Sequence, residues 1–176
     1  LRQLLSWKSL LGALAVYLLL QVTVLRPSLE DQVEACFADV VAAIDSRDPG
    51  DLLDQVSIDY PYGTLWPEFS QLLAVRGASG PDVDPRYEQR QRVGSLLGQM
   101  FFMLKEDSPQ FALSVLAVQE PEKADQPVRA QVRVQYLGGR APRELRSKRG
   151  SVEVEFLLER QGVLWPRVVI VGHERW

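Results

Sequence analysis

The sequence predicts an α+β domain behind an N-terminal apolar segment, and three features predict it. Apolar residues recur at helical spacing up to about Lys105, strand-like alternation takes over after it, and one uncharged run stands ahead of both. Helices first and a meander of about four strands afterwards describe a segregated α+β layout rather than an alternating one. The chain has 176 residues, 46% of them hydrophobic. Once the opening run is set aside about 150 residues remain, the usual size of one domain. The expected organisation is an anchor over residues 1–27 and a single domain over 28–176.

The opening run comes first. From Ser9 to Leu25 no residue is charged, and a stretch of about 17 residues is the lower limit for spanning a bilayer as a helix. Leu10, Leu11, Leu14, Val16, Leu18, Leu19, Leu20, Val22, Val24 and Leu25 would supply its lipid-facing surface, with Trp7 at headgroup level. Arg2 and Lys8 precede the run and Arg26-Pro27 ends it. The positive-inside tendency then keeps the N-terminus cytoplasmic and exports the C-terminal domain, periplasmic in a Gram-negative envelope, although Arg26 weakens the asymmetry. A cleaved signal peptide is the competing reading. It would end in a small-x-small site, whereas this run ends Gln21-Val22-Thr23-Val24-Leu25, so a retained single-pass signal anchor is favoured.

The helical part follows. Ser28 reads as an N-cap, with Glu30 and Asp31 in a first turn where the helix dipole favours acids. Val33, Phe37, Val40/Val41 and Ile44 then form one apolar stripe. Asp45 to Gly50 breaks that helix, and Asp51 to Val56 reads as a short second one. Prolines and glycines punctuate Asp59 to Pro85, with room for a short helix over Pro67 to Arg76. Asp84-Pro85 opens a third main helix, where Val93, Leu96/Leu97, Met100/Phe101 and Leu104 share a face. Gly94 and Gly98 on it suit a close helix contact or, the favoured reading, packing on a sheet.

In the strand part, Phe111 to Gln119 is apolar on both faces, as an interior or doubly covered strand would be. Val128, Ala130, Val132, Val134 and Tyr136 alternate with Arg129, Gln131, Arg133 and Gln135. Val152, Val154, Phe156 and Leu158 alternate with Glu153, Glu155 and Glu159. Opposite charges on the two wet faces suit cross-strand pairing, so these strands are expected to be antiparallel neighbours. Gln161-Gly162 turns the chain into a last strand over Val163 to Gly172, with Trp165, Val169 and Val171 on one face.

Several function classes are excluded at this level. A net charge of −3 lacks the basic excess that nucleic-acid binders use against phosphates, so no nucleic-acid partner is expected. One cysteine, Cys36, and one histidine, His173, exclude an internal disulfide and a four-ligand Cys/His zinc site. No nucleophile elbow, P-loop or dinucleotide fingerprint occurs, and no cofactor is expected.

Two stretches resemble the nuclear transport factor 2-like superfamily, which includes the ketosteroid isomerase-like enzymes. Ala42-Ala43-Ile44-Asp45-Ser46-Arg47-Asp48-Pro49-Gly50-Asp51-Leu52-Leu53-Asp54-Gln55-Val56-Ser57-Ile58-Asp59-Tyr60 is similar to that family's exit from helix one. Gln161-Gly162-Val163-Leu164-Trp165-Pro166-Arg167-Val168-Val169-Ile170-Val171 resembles its last hairpin, except that Pro166 stands where the family has a polar residue and should lie at a strand edge or bulge. The resemblance implies a cone in which three helices lie in the concavity of a curved, mainly antiparallel sheet. It leaves function open, because the fold hosts isomerases, dehydratases and proteins without catalysis.

Candidate chemistry is sparse. Enzymes of this fold use an Asp or His with Tyr or Asp donors, as ketosteroid isomerase does, and Asp59, Tyr60 and Tyr62 could approach such a set with Trp66 or Trp165 as a pocket wall. The same residues make a good turn, and that reading is favoured. Cys36 reads as a near-core residue and His173 as a surface histidine on a frayable end. The most unusual window is Arg140 to Arg149, where Arg140, Arg143, Arg146, Lys148 and Arg149 face one acid, Glu144. Against the net −3, its +4 leaves −7 elsewhere. It is either a solvated loop or a contact for anionic lipid or an acidic partner. The sequence therefore favours a non-catalytic accessory or scaffold subunit held to a membrane, with lipid and an integral membrane protein as partners. Its layout is similar to the inner-membrane scaffold components of bacterial type IV secretion systems. A small-ligand binder or pocket enzyme of the same fold is the alternative.

Overall fold

The structure, a computed structural model, describes Val16 and residues 27–62, 84–103, 110–123, 126–138, 150–162 and 166–174. Three helices, α1 (Leu29–Ser46), α2 (Pro49–Asp54) and α3 (Pro85–Met103), precede four strands, β1 (Gln110–Gln119), β2 (Val128–Gly138), β3 (Ser151–Gln161) and β4 (Arg167–Glu174). The strands form one antiparallel sheet in the order β1-β2-β3-β4, so the α+β layout with a meander is the observed one.

The start of α1 is fixed by a reciprocal cap. The Ser28 hydroxyl accepts from the Asp31 N–H at 3.1 Å, and the Asp31 carboxylate accepts from the Ser28 N–H at 3.0 Å. Gln32 donates from Nε2 to the Pro27 carbonyl at 2.9 Å, tying the entering chain to the helix. Arg47 ends α1 in the left-handed region at φ 58. The Asp48 N–H then reaches the Ala43 carbonyl at 3.0 Å and the Arg47 N–H that of Ile44 at 3.1 Å, a Schellman pair made without glycine. Asp48 also caps α2, accepting from Gly50 and Asp51, with Pro49 in the first turn. The second helix therefore begins before the expected Asp51.

Two expectations about packing are corrected. The third helix lies against α2, not on the sheet: a Cβ at Gly94 would stand 3.1 Å from Leu53 Cδ1, and one at Gly98 3.9 Å from Pro49 Cγ. The missing side chain at Gly94 lets the two helices approach closely, whereas Gly98 leaves ordinary contact distance. Arg90 fastens the contact, donating to the carbonyls of Leu53 and Val56 at 2.8 Å each and to the Asp54 carboxylate at 3.0 Å. The Leu53 carbonyl accepts from Arg90 as well as from the Val56 N–H, and the Val56 carbonyl just past α2 accepts from Arg90. Of the expected apolar face only Val93 is buried; Leu97 packs against the core, Met100 is exposed, and Leu104 lies outside the described residues.

The second correction concerns β1, which is an edge strand and holds no buried residue, although its apolar run reads as interior. Period alone does not say whether an apolar strand is covered on one face, on both or on neither. By contrast β2 and β3 alternate as expected, with Arg133 opposite Glu153 in register. The far edge, β4, is closed by an isolated parallel bridge between Val56 and Ile170. There the Ser57 N–H donates to the Ile170 carbonyl at 2.8 Å and the Ile170 N–H to that of Gln55 at 2.9 Å. Pro166 stands just ahead of β4, where its missing donor costs no ladder bond. Val168, Val169 and Ile170 are all buried, so β4 is covered on both faces rather than one.

The core lies between the helices and the inner face of the sheet. Val33, Phe37 and Val40 of α1 meet Val128, Ala130 and Val132 of β2 and Leu158 of β3. The Phe37 and Phe156 rings sit 5.1 Å apart. Burying each such side chain contributes about 1.5–3 kcal/mol.

Candidate functional site

The chain leaving α2 winds through two short turns. The Tyr60 N–H donates to the Ser57 carbonyl at 3.1 Å, and the Tyr62 N–H to the Tyr60 carbonyl at 2.8 Å, with Pro61 between them setting the tight bend. The Ser57 hydroxyl accepts from the Asp59 N–H at 3.3 Å. This winding sends neighbouring side chains in opposite directions. Tyr60 and Tyr62 turn inward and are 6% and 4% exposed, with ring centroids 5.1 Å apart. Asp59 turns outward, its side chain 65% exposed and paired with Arg86 at 2.9 Å. Arg86 also holds Asp84 at 2.8 Å, and this hydrogen bonding keeps the Asp84 carboxyl below its ordinary range.

The inward side carries a pairing that sequence reasoning missed. The Tyr60 hydroxyl lies 2.8 Å from Nδ1 of His173, and the two rings stack at 6.0 Å and 19°. His173 is no frayed surface residue: it belongs to β4, is half-buried, and stands opposite Phe156 on the core side of the sheet. Burial, and after it the neighbouring Tyr62, push the Tyr60 hydroxyl far above its ordinary range, so it keeps its proton. It can then donate to a neutral Nδ1 or accept from a protonated one, and either way it fixes the ring. No local signal marks this pair, whose members are 113 residues apart in the chain.

Tyr62 has a different environment. Burial raises its hydroxyl, while Arg90 acts in the opposite direction. Among the described residues none makes a hydrogen bond of sound geometry to that hydroxyl, although it is buried, and Arg90 directs its N–H groups at the end of α2 instead. The trio of the alternative, catalytic reading is therefore split, with two tyrosines in the core and the Asp59 carboxylate on the surface. An Asp base facing Tyr donors is not assembled by these three residues.

A cleft of about 650 Å³ opens beside this turn, walled by Ser57, Asp59, Pro127, Val128, Glu159 and Arg160. Its polar groups are Ser57, the exposed Asp59, Gln126 and the Glu159 and Arg160 charges at the end of β3, and neither Tyr60 nor Tyr62 lines it. On the outer face of the sheet Arg129 reaches both Glu155 and Glu174 at 2.9 Å, bridging two carboxylates that stand opposite one another on β3 and β4. Arg133 meets Glu153 at 2.8 Å. The pairs of Arg129 with Glu155 and Arg133 with Glu153 are those that the alternating charges of β2 and β3 predict, while Glu174 comes from β4.

Among the described residues no group of three or more His, Cys, Asp or Glu side chains could hold a metal ion. Cys36 is buried, and burial followed by the charge of Asp39 pushes its thiol up to about 12, far from a reactive thiolate. The window with Arg140, Arg143, Arg146, Lys148 and Arg149 lies outside the described residues, within the connection from β2 to β3. Trp66, Trp165, the Pro67–Arg76 stretch and the opening apolar run also lie outside them, apart from Val16, which is helical and 56% exposed. Among the described residues no helix is long and apolar enough to cross a membrane. No protein-family model matches the chain, and no curated protein matches its sequence.

Proposed function

We propose that this chain is a membrane-anchored interaction domain, an accessory or scaffold subunit of a membrane protein complex, built on a nuclear transport factor 2-like cone. The observation that carries this reading is the junction behind the apolar run. The capped first turn at Ser28 and the Gln32 bond to the Pro27 carbonyl begin the folded domain directly after Arg26. A single-pass anchor over residues 9–25 would then hold the exported domain close to the bilayer with no slack between them. Such a domain is suited to contacting membrane neighbours. The packed inner face supports the same reading, since Phe37 on Phe156 occupies space where enzymes of this fold keep a pocket. The basic connection from β2 to β3 adds a contact for anionic headgroups, worth about 1 kcal/mol per basic residue near the surface.

Isolation of the full chain from its native membranes in mild detergent tests this. The expected result is co-migration with an integral membrane protein in fixed stoichiometry, and a chain that emerges alone removes the subunit reading. The 650 Å³ cleft favours a second reading, a small-ligand binder. That reading predicts a ligand-dependent rise in melting temperature that is lost in Arg160→Ala.

A further inference from the structure

The two edges of the sheet are treated differently. The outer edge of β4 is occupied by the Val56 bridge, while no described residue pairs with β1 on the side away from β2. Natural edge strands are guarded by charge, proline or a covering element. The β1 sequence QFALSVLAVQ has no charge and no proline, and seven of its ten residues are apolar. Leu116 is 40% exposed.

A second observation says what fits there. Pairing with β2 puts Phe111, Leu113, Val115 and Val118 on the core side, opposite Tyr136, Val134, Val132 and Ala130. Ala112, Ser114, Ala117 and Gln119 lie on the outer side, opposite Gln135, Arg133, Gln131 and Arg129, and the register shifts between Val115 and Ala117 at Leu116. With a two-fold axis at Ser114, an antiparallel copy matches Leu113 to the second copy's Val115, Ala112 to its Ala117, Phe111 to its Val118 and Gln110 to its Gln119. These rungs join like faces and similar side chains. In a straight strand Phe111 and Val118 would point to opposite faces; the bulge, in which two residues oppose one, brings them to the same face. Charge points the same way. The other three strands carry Arg or Glu, whereas two copies of β1 set no like charges against each other.

We propose that β1 is a self-association edge, through which a second copy of this chain adds antiparallel about a two-fold axis at Ser114 and makes one continuous sheet from two. The interface is isologous, with each rung occurring twice about the axis. It does not depend on the membrane reading.

The test uses the full chain in detergent. Ser114→Cys places two thiols opposite each other on the axis, within the Cα separation a disulfide accepts. The native Cys36 is buried and does not compete. Under added diamide, Ser114→Cys is expected to yield a disulfide-linked homodimer as the main product. Gln135→Cys, on the same face of the neighbouring strand, is expected to give no disulfide-linked dimer. Ser114→Lys sets like charges on the axis and is expected to abolish the dimer in light scattering, while circular dichroism shows the fold retained because Ser114 is exposed. A wild-type chain that is monomeric throughout overturns the proposal. So does cross-linking of Ser114→Cys no faster than Gln135→Cys, a dimer that persists in Ser114→Lys, or a mixed disulfide with a different protein in native membranes.

Discussion

Replacing the two buried tyrosines separately by phenylalanine should give unequal effects. Tyr60→Phe deletes the 2.8 Å partner of His173 Nδ1 and leaves that nitrogen half-buried without it. An abandoned polar group of this kind costs about 1–3 kcal/mol when fully buried, and half-burial argues for about 1–2 kcal/mol. Tyr62→Phe removes a buried hydroxyl to which no described residue makes a hydrogen bond of sound geometry, so its desolvation cost is lifted. Against this stands the lost attraction to Arg90, which leaves a net effect within about 1 kcal/mol of zero, on the stabilising side. Urea unfolding of the full chain in mild detergent resolves the two, since with slopes of about 1–3 kcal/mol per molar the Tyr60→Phe midpoint falls by roughly 1 M. The alkaline limb gives a second readout. An acid whose folded value is raised contributes stability that is complete below its unfolded value, here 10.0, and is lost as pH rises towards the folded one. Wild type should therefore lose stability above pH 10.0, and Tyr60→Phe should lose less of it. Equal midpoint shifts in the two variants, or a larger loss in Tyr62→Phe, would refute the assignment of the hydrogen bond to Tyr60 alone.

Cys36 predicts its own pH window. Its thiol is raised from 9.0 to about 12, so the stability it contributes is whole below pH 9.0 and declines between the two values, and Cys36→Ala should flatten the unfolding curve there. At the helix contact, Gly94→Leu drives a side chain into Leu53 and should cost about 1–3 kcal/mol by thermal or urea unfolding. Gly94→Ala, which gains about 1 kcal/mol of helix propensity against one tight contact, should stay near neutral. Phe37→Ala, which empties the site against Phe156, should cost about 3–5 kcal/mol in the same assay.

What the sequence made legible was local. Ser28 and Asp31 announce the start of α1 because a reciprocal cap needs only neighbouring residues. The alternation of β2 and β3 made their pairing legible because two successive outer rungs, Gln131 with Glu155 and Arg133 with Glu153, set Arg or Gln against Glu. The remaining features depend on which elements meet. Gly94 and Gly98 signal a close approach but not that α2 is what approaches. The β1 run reads as interior because its side chains are apolar, and only the strand order makes it an edge. Val56 closing the edge at Ile170, and Tyr60 meeting His173, join residues more than a hundred positions apart. Asp59 and Tyr60 could act together only in the alternative, catalytic reading, and adjacent residues in the turn point in opposite directions, so that set divides along the turn.

Alkaline carbonate extraction of native membranes tests the central claim most directly, with the full chain compared against a chain that begins at Pro27. Membrane anchoring through residues 9–25 predicts that the full chain stays in the pellet with the integral proteins while the shortened chain is released. Release of the full chain into the carbonate supernatant would contradict the account.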